Sequence, residues 1–195
     1  LSVPAPVYPV FLKLRRRRVV LVGGGRMAAS KLPALLAAGA EVVVVAPAVR
    51  REIAAAGVAL RRRRFRSRDL DGAWLAVAAA PPEVNRQVAR AAAARRLFVN
   101  AVDDPANASA YLGGVVRRGG VTLAISTGGE APALAGLLRE ALSSLLPEEI
   151  AAWTRAAAVL KRRQRAAGVP IALRRPQLLQ ALERLYAPIE GGAQG

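Results

Sequence analysis

Three short stretches of this 195-residue chain carry groups of the kind that do chemistry. In "RRVVLVGGGRMAASK", residues 17–31, Gly23 and Gly25 with Ala28 form a G-x-G-x-x-A pattern between an apolar run and a helix-like one. The first glycine permits a tight turn, and the second lets backbone N–H groups approach a diphosphate. The small third residue lets a helix pack close to a strand. A helix N-terminus behind such a turn favours an anion. The alternative is a glycine turn that holds no ligand. In "NAVDDP", residues 100–105, Asp103 and Asp104 follow an apolar run. The chain has no histidine and no cysteine, so acid–base work falls to Asp, Glu, Lys or Tyr. An aspartate past the end of a strand is then the best general base available. The alternative is ordinary turn chemistry, which Asp-Asp-Pro also suits. In "STGGEAP", residues 126–132, Ser126 or Thr127 can accept from free helix N–H groups, and Pro132 fits a first turn. The stretch is either a helix cap alone or a second anion seat for a substrate carboxylate, made of Thr127, Gly128 and Gly129.

These stretches need elements to hold them. Residues 19–22 read as a buried strand and 26–38 as a helix, with Gly39 at its left-handed cap. "EVVVVAP", 41–47, reads as a second strand, apolar on both sides as in the middle of a parallel sheet. A short helix over 48–56, strands over 58–61, 73–79 and 97–102, and a helix over 82–95 continue the alternation. Such alternation predicts a doubly wound, Rossmann-like α/β domain. "VVRRGGVTLAIS" predicts a hairpin turning at Gly119-Gly120. A long helix follows, with Ala133, Leu134, Leu137, Leu138, Ala141, Leu142 and Leu145 on one face, and Pro147 ends it. Residues 148–166 and 176–186 read as basic helices, and the tail "EGGAQG" as frayed. The predicted boundaries are 1–112, 113–147 and 148–195. The hairpin and long helix carry more apolar surface than a small sheet can cover, which predicts a homodimer.

One element of a dinucleotide site is missing. An acidic residue should close the second strand and bind the ribose hydroxyls; Ala46 and Pro47 stand there instead. Arg50 and Arg51 lie just beyond, to meet a 2′-phosphate or merely to line a helix surface. NAD is the expected cofactor, and NADP stays open.

The net charge is +17, carried almost wholly by arginine. It reads either as a solvated surface or as attraction to polyanions: nucleic acid, acidic lipid or a small polyanionic substrate. The runs "LRRRR", 14–18, and "RRRRFRSR", 61–68, motivate a rival reading as a nucleic-acid-binding module without catalysis, but aromatics make up only 4% of the chain, which limits base stacking. A second rival is a non-catalytic sensor of NADH. No run of about 20 apolar residues is present, and "LSVPAPVYPVFLKL" is broken by prolines with its charges behind it. No membrane association and a cytoplasmic location are expected.

Taken in order and spacing, "YPVFLKL", "VVLVGGGRMAASK", "VVVVAP", "NAVDDP" and "AISTGGEAPALAGLLREALSSLLP" resemble the precorrin-2 dehydrogenase module of siroheme synthase, from Tyr8 to about Pro147. The resemblance implies a dinucleotide-binding domain, a dimerisation segment and a small helical C-terminal domain. It implies NAD-dependent oxidation of precorrin-2, a tetrapyrrole with eight carboxylates, to sirohydrochlorin, and in some members insertion of Fe²⁺ to give siroheme. Such a substrate would itself account for a basic cleft. The family's key aspartate matches Asp103. Its cofactor loop matches Gly23, Gly24, Gly25, Arg26 and Met27, with further contacts at Pro47, Ala48, Ala79 and Ala80. Its Ser or Thr before "GG" matches Thr127. No protein-held metal site is expected. The chain departs from the family at Ala131, where members often carry Ser, and at Gly136, where they often carry Arg. It departs also over Ala108–Gly114, where Tyr111 takes the aromatic place. These departures fall on the substrate cleft rather than on the cofactor loop.

Overall fold

The computed structural model describes residues 7–186, so the predicted frayed tail lies outside the described residues. The chain divides into two compact units. Among the described residues, the first runs to Leu112 and takes in Ser126–Pro132; the second holds Gly113–Ile125 and the residues from Ala133 to Tyr186.

In the first unit, five parallel strands form one sheet: β1 (Arg18–Val22), β2 (Glu41–Val45), β3 (Ala59–Arg61), β4 (Leu75–Ala78) and β5 (Val99–Ala101). Their order is β3-β2-β1-β4-β5, so the chain reverses direction of travel between β1 and β4. Strand β1 sits at the centre and is apolar on both faces. Val19 and Leu21 pack in one cluster with Leu32, Leu35 and Ile53, while Val20 and Val22 pack in the other with Leu70 and Val88. Each such valine or leucine contributes about 1.5–3 kcal/mol when fully withdrawn from water. Burial on both sides explains why no alternation shows in the sequence of this strand.

Helix α1 (Arg26–Ala37) buries Ala28, Leu32 and Leu35, which recur at helical spacing. Gly39 follows with φ +74°, as a left-handed cap requires. Helix α3 (Pro82–Ala93) buries Asn85, Val88, Ala91 and Ala92. The predicted helix over 48–56 contracts to α2 (Arg51–Ala54). The loop before it is pinned instead, by the Arg50 N–H donating to the Gly24 carbonyl at 2.9 Å. Strand β1 starts one residue before the predicted 19–22, whereas β2, β3, β4 and β5 are shorter than the predicted strands, their pairing stopping where the parallel register runs out.

In the second unit, β6 (Gly114–Arg118) and β7 (Val121–Ile125) form the predicted hairpin. Gly119 and Gly120 both take positive φ, +55° and +85°, as a two-residue primed turn demands. Helix α4 (Pro132–Leu145) is followed by α5 (Ile150–Ala166) and α6 (Ile171–Tyr186). The last begins five residues earlier than expected. Pro176 lies inside it, not at its start, and the preceding turn forms ahead of the proline. Buried Gln164 ties the two last helices together, its Nε2 donating to the Arg174 carbonyl at 3.2 Å and to Gln177 Oε1 at 2.8 Å. No helix among the described residues is long and apolar enough to cross a membrane.

Candidate active site

Parallel pairing places the carboxyl ends of β1, β4 and β5 side by side on one edge of the sheet. The chain's order of strands reverses at this edge, and open α/β sheets bind their ligands at such a crevice. The glycine turn after β1, Ala79 and Ala80 after β4, and the aspartates after β5 meet there by strand order.

The glycine turn leaves β1. Gly23 has φ +127°, and a Cβ added to it would lie 2.1 Å from the Ala79 carbonyl oxygen. The turn is therefore pressed against the residue that follows β4, and the Ala79 N–H donates to the Val22 carbonyl at 2.8 Å. A Cβ on Gly24 would lie 1.9 Å from the Ala48 carbonyl oxygen. Gly25 differs: a Cβ there would meet nothing within 4 Å. Two glycines thus close the turn onto its neighbours, and the third faces open space. Gly25 is also the N-cap of α1 and brings no capping side chain. The first N–H groups of a helix have no partners within it, and here they stand at the mouth of that space. Arg26 and Met27 are exposed in the same turn, and no acidic residue sits there. These residues fit the diphosphate of a dinucleotide. Pro47 and Ala48 flank the turn on the β2 side, and Ala79 and Ala80 on the β4 side. The Ala80 N–H is held by Asn85 Oδ1 at 3.1 Å. Asn85 was not among the sequence candidates, since nothing local distinguishes it from a helix-surface asparagine.

Beyond β2 the Arg50 guanidinium grips Glu52, the closest approach being 3.1 Å, on an exposed surface. The hydrogen bond from Arg50 holds the Glu52 carboxyl below its ordinary range.

The two aspartates after β5 separate into different roles. Asp104 belongs to the turn: both of its carboxylate oxygens accept from Asn107 Nδ2, at 3.0 and 2.9 Å. Asp103 has φ +57°, a left-handed conformation that Asp tolerates better than most residues. Its carboxylate is exposed and accepts no hydrogen bond among the described residues. Turn chemistry and a free carboxylate, alternatives in the sequence, are divided between neighbours.

Thr127 caps as its type suggests, Oγ1 accepting from the Ala131 N–H at 3.2 Å. Gly128 and Gly129 have φ +67° and +88°. A Cβ on Gly129 would press on Pro105 and on Tyr111 Cε1, each at 3.1 Å. The Thr-Gly-Gly turn therefore lies against the segment that carries Asp103, in the same unit.

The arginine run at 61–68 turns partly inward. Asp69 is fully buried and accepts from Arg61 Nη1 at 2.5 Å, Arg63 Nη2 at 2.5 Å, Arg63 Nη1 at 2.8 Å and the Arg66 N–H at 2.8 Å. Burial pushes its carboxyl up, but the bonds from Arg63, Arg66 and Arg61 outweigh that and hold it well below the usual carboxylate range. Arg62, Arg64, Arg66 and Arg68 remain exposed. Two of the six arginines in this run, Arg61 and Arg63, are therefore internal structure. Arg17 lies 3.9 Å from the centre of the Trp74 ring.

Residues 10–114 match the family model described as putative NAD(P)-binding, and residues 118–145 match the one described as sirohaem biosynthesis protein central. The chain belongs to the siroheme synthase family. Among family members, the siroheme synthase of Citrobacter koseri is 49% identical over 82 residues, 42% of this chain and 18% of that protein. Siroheme synthase 1 of Aeromonas hydrophila is 39% identical over 129 residues, 64% of this chain and 27% of that protein. The chain therefore matches roughly a fifth to a quarter of the length of these curated relatives. The solved structure of SirC, precorrin-2 dehydrogenase, superposes with a TM-score of 0.70 at 27% identity, over 89% of this chain and 88% of that one. The family match makes the glycine turn of the first unit part of an NAD(P)-binding domain.

Proposed function

We propose that this chain oxidises precorrin-2 to sirohydrochlorin with NAD⁺, and that Asp103 is its catalytic carboxylate. One observation carries the reading. The same sheet edge bears a glycine turn open at Gly25 and, one strand beyond β4, an exposed carboxylate with no internal partner. The reaction removes two hydrogens from the macrocycle. One leaves as hydride, for which bound NAD⁺ supplies the acceptor. The other leaves as a proton, and Asp103 takes it; a carboxylate free of internal hydrogen bonds remains available as a base. Gly23, Gly24, Gly25, Arg26 and Met27 hold the diphosphate, with Pro47, Ala48, Ala79 and Ala80 walling the cleft. Thr127, Gly128 and Gly129 seat a substrate carboxylate. The likeness to SirC, a precorrin-2 dehydrogenase, supports this assignment.

Insertion of Fe²⁺ into the product is the second step that the family reading extends to this cleft, with Asp103 receiving pyrrole protons and the iron entering as substrate. No group of three or more His, Cys, Asp or Glu able to hold a metal occurs among the described residues, so the macrocycle's own nitrogens would have to supply the coordination. Anaerobic Fe²⁺ with sirohydrochlorin should yield the siroheme spectrum faster with protein than without.

The working form is a homodimer. On α4, Leu134, Leu137 and Leu145 are 49%, 65% and 75% exposed, and apolar surface of this kind marks an interaction site.

The deciding experiment is NADH formation from precorrin-2 by the wild type and by Asp103→Asn. Turnover should fall by about a hundredfold or more, the scale of losing a positioned base, with NAD⁺ affinity unchanged. Equal turnover in the two proteins removes Asp103 from the chemistry. No turnover by the wild type, with NAD⁺ still bound, removes precorrin-2 as the substrate.

A further inference from the structure

Asn100 lies in the middle of β5, opposite Val77, and is 7% exposed. Its Nδ2 donates to the Ala110 carbonyl at 3.0 Å. Its Oδ1 is buried and has no partner. An unpaired buried amide oxygen costs about 1–3 kcal/mol, so the residue is poorly chosen for stability alone. An aliphatic side chain would fill this sheet face without that penalty.

The bond it makes belongs to a group. The Val99 N–H donates to Ser109 Oγ at 2.9 Å, and the Val99 carbonyl accepts from the N–H groups of Ser109 at 2.8 Å and Ala110 at 3.0 Å. With the Asn100 bond, these close the base of a loop that leaves β5 at Val102 and returns beside it at Ser109. Asp103 sits in this loop in its left-handed conformation, and Asn107 clasps Asp104 within it. A left-handed non-glycine residue costs on the order of 1–3 kcal/mol and persists only where the surroundings fix it.

We infer that Asn100 is a positioning residue for Asp103: its side-chain amide latches the returning strand of the loop and so fixes where the catalytic carboxylate stands. The inference rests on the proposed role of Asp103. The oxygen left unpaired is the cost of a polar latch in an apolar layer. Ser109 holds the other side of the same closure.

The experiment compares wild type, Asn100→Ala, Ser109→Ala, Asp103→Asn and the double variant Asn100→Ala/Asp103→Asn. Asn100→Ala should lower kcat about tenfold or more, since small misplacements of reacting groups are that costly. Its KM, its Kd for NAD⁺ and its melting temperature should stay close to wild type. Ser109→Ala should act in the same direction. The double variant should be no slower than Asp103→Asn alone, because a latch has nothing to position once the carboxylate is gone. Backbone amide exchange over 103–109 should quicken in Asn100→Ala, with exchange over 23–25 unchanged. Unchanged kcat, or a multiplicative loss in the double variant, overturns the inference. If the wild type shows no turnover with precorrin-2, the functional reading fails separately, and the exchange measurement still decides the latch: unaltered exchange over 103–109 refutes it.

Discussion

At the scale of single residues, the glycines of the first turn serve two different physical ends. Gly23 is held by sterics: its φ is +127° and the Ala79 carbonyl leaves no room for a Cβ. Gly25 has φ −85° and empty space before it. Two substitutions should therefore part company. Gly23→Ala should destabilise the fold by about 2–4 kcal/mol, from backbone strain and a forced shift of the loop after β4. Gly25→Val should leave thermal unfolding close to wild type yet weaken NAD⁺ binding about tenfold or more, because the side chain would project into the space assigned to the diphosphate. Melting curves and NAD⁺ titration calorimetry on both proteins measure the contrast. Equal affinity in Gly25→Val and wild type would place the dinucleotide elsewhere. A similar division separates Asp103 from Asp104. Asp104→Asn keeps an acceptor for Asn107 and should retain most of the turnover that Asp103→Asn loses.

At the scale of elements, the segment after β3 is organised by one buried carboxylate. Asp69 draws Arg61 and Arg63 inward and accepts the Arg66 N–H, while Arg18 Nη2 donates to its backbone carbonyl at 3.1 Å. Its folded-state carboxyl lies below the ordinary range near 3.9. The sign follows from proton binding: near pH 4 and below, the unfolded chain takes up a proton that the folded chain refuses. The pair therefore stabilises fully above about pH 5, and that stabilisation is lost as the pH falls through 4 toward the lower folded-state value. Asp69→Asn should unfold about 2–3 kcal/mol more easily at pH 7, a discounted value because both arginines stay partly in water. The difference from wild type should shrink below pH 4. Denaturant titrations at pH 7 and pH 3.5 test both statements, and a pH-independent difference would reject the linkage.

At the scale of the molecule, two properties of the surface bear on function. The exposed leucines of α4 predict an obligatory partner copy. Sedimentation at micromolar concentration should give twice the chain mass, and Leu137→Glu with Leu145→Glu should give the mass of one chain. The second property is the net charge of +17. A substrate with several carboxylates would be drawn by that field, and the attraction is screened once the Debye length falls to about 10 Å or less. KM for precorrin-2 should therefore rise severalfold between low and moderate salt, with a smaller change in Kd for the less highly charged NAD⁺. A salt-independent KM would mean that the arginines take no part in capture.

The sequence alone determined the succession of strand, glycine turn and helix. It also set the hairpin at Gly119-Gly120 and the candidate aspartates, because apolar periodicity and positive-φ turns are local properties. It did not determine where α6 starts, since a proline marks a first turn and an interior position with the same letter. It did not separate Asp103 from Asp104, show that Arg61 and Arg63 turn inward, or single out Asn85 and Asn100. Each of those depends on what another segment presents. Ser109 and Ala110 reach the loop base only because the chain doubles back along β5, and Asp69 gathers its arginines from the end of β3 and the segment after it. Sheet register and loop return set these pairings, and only the tertiary structure contains them.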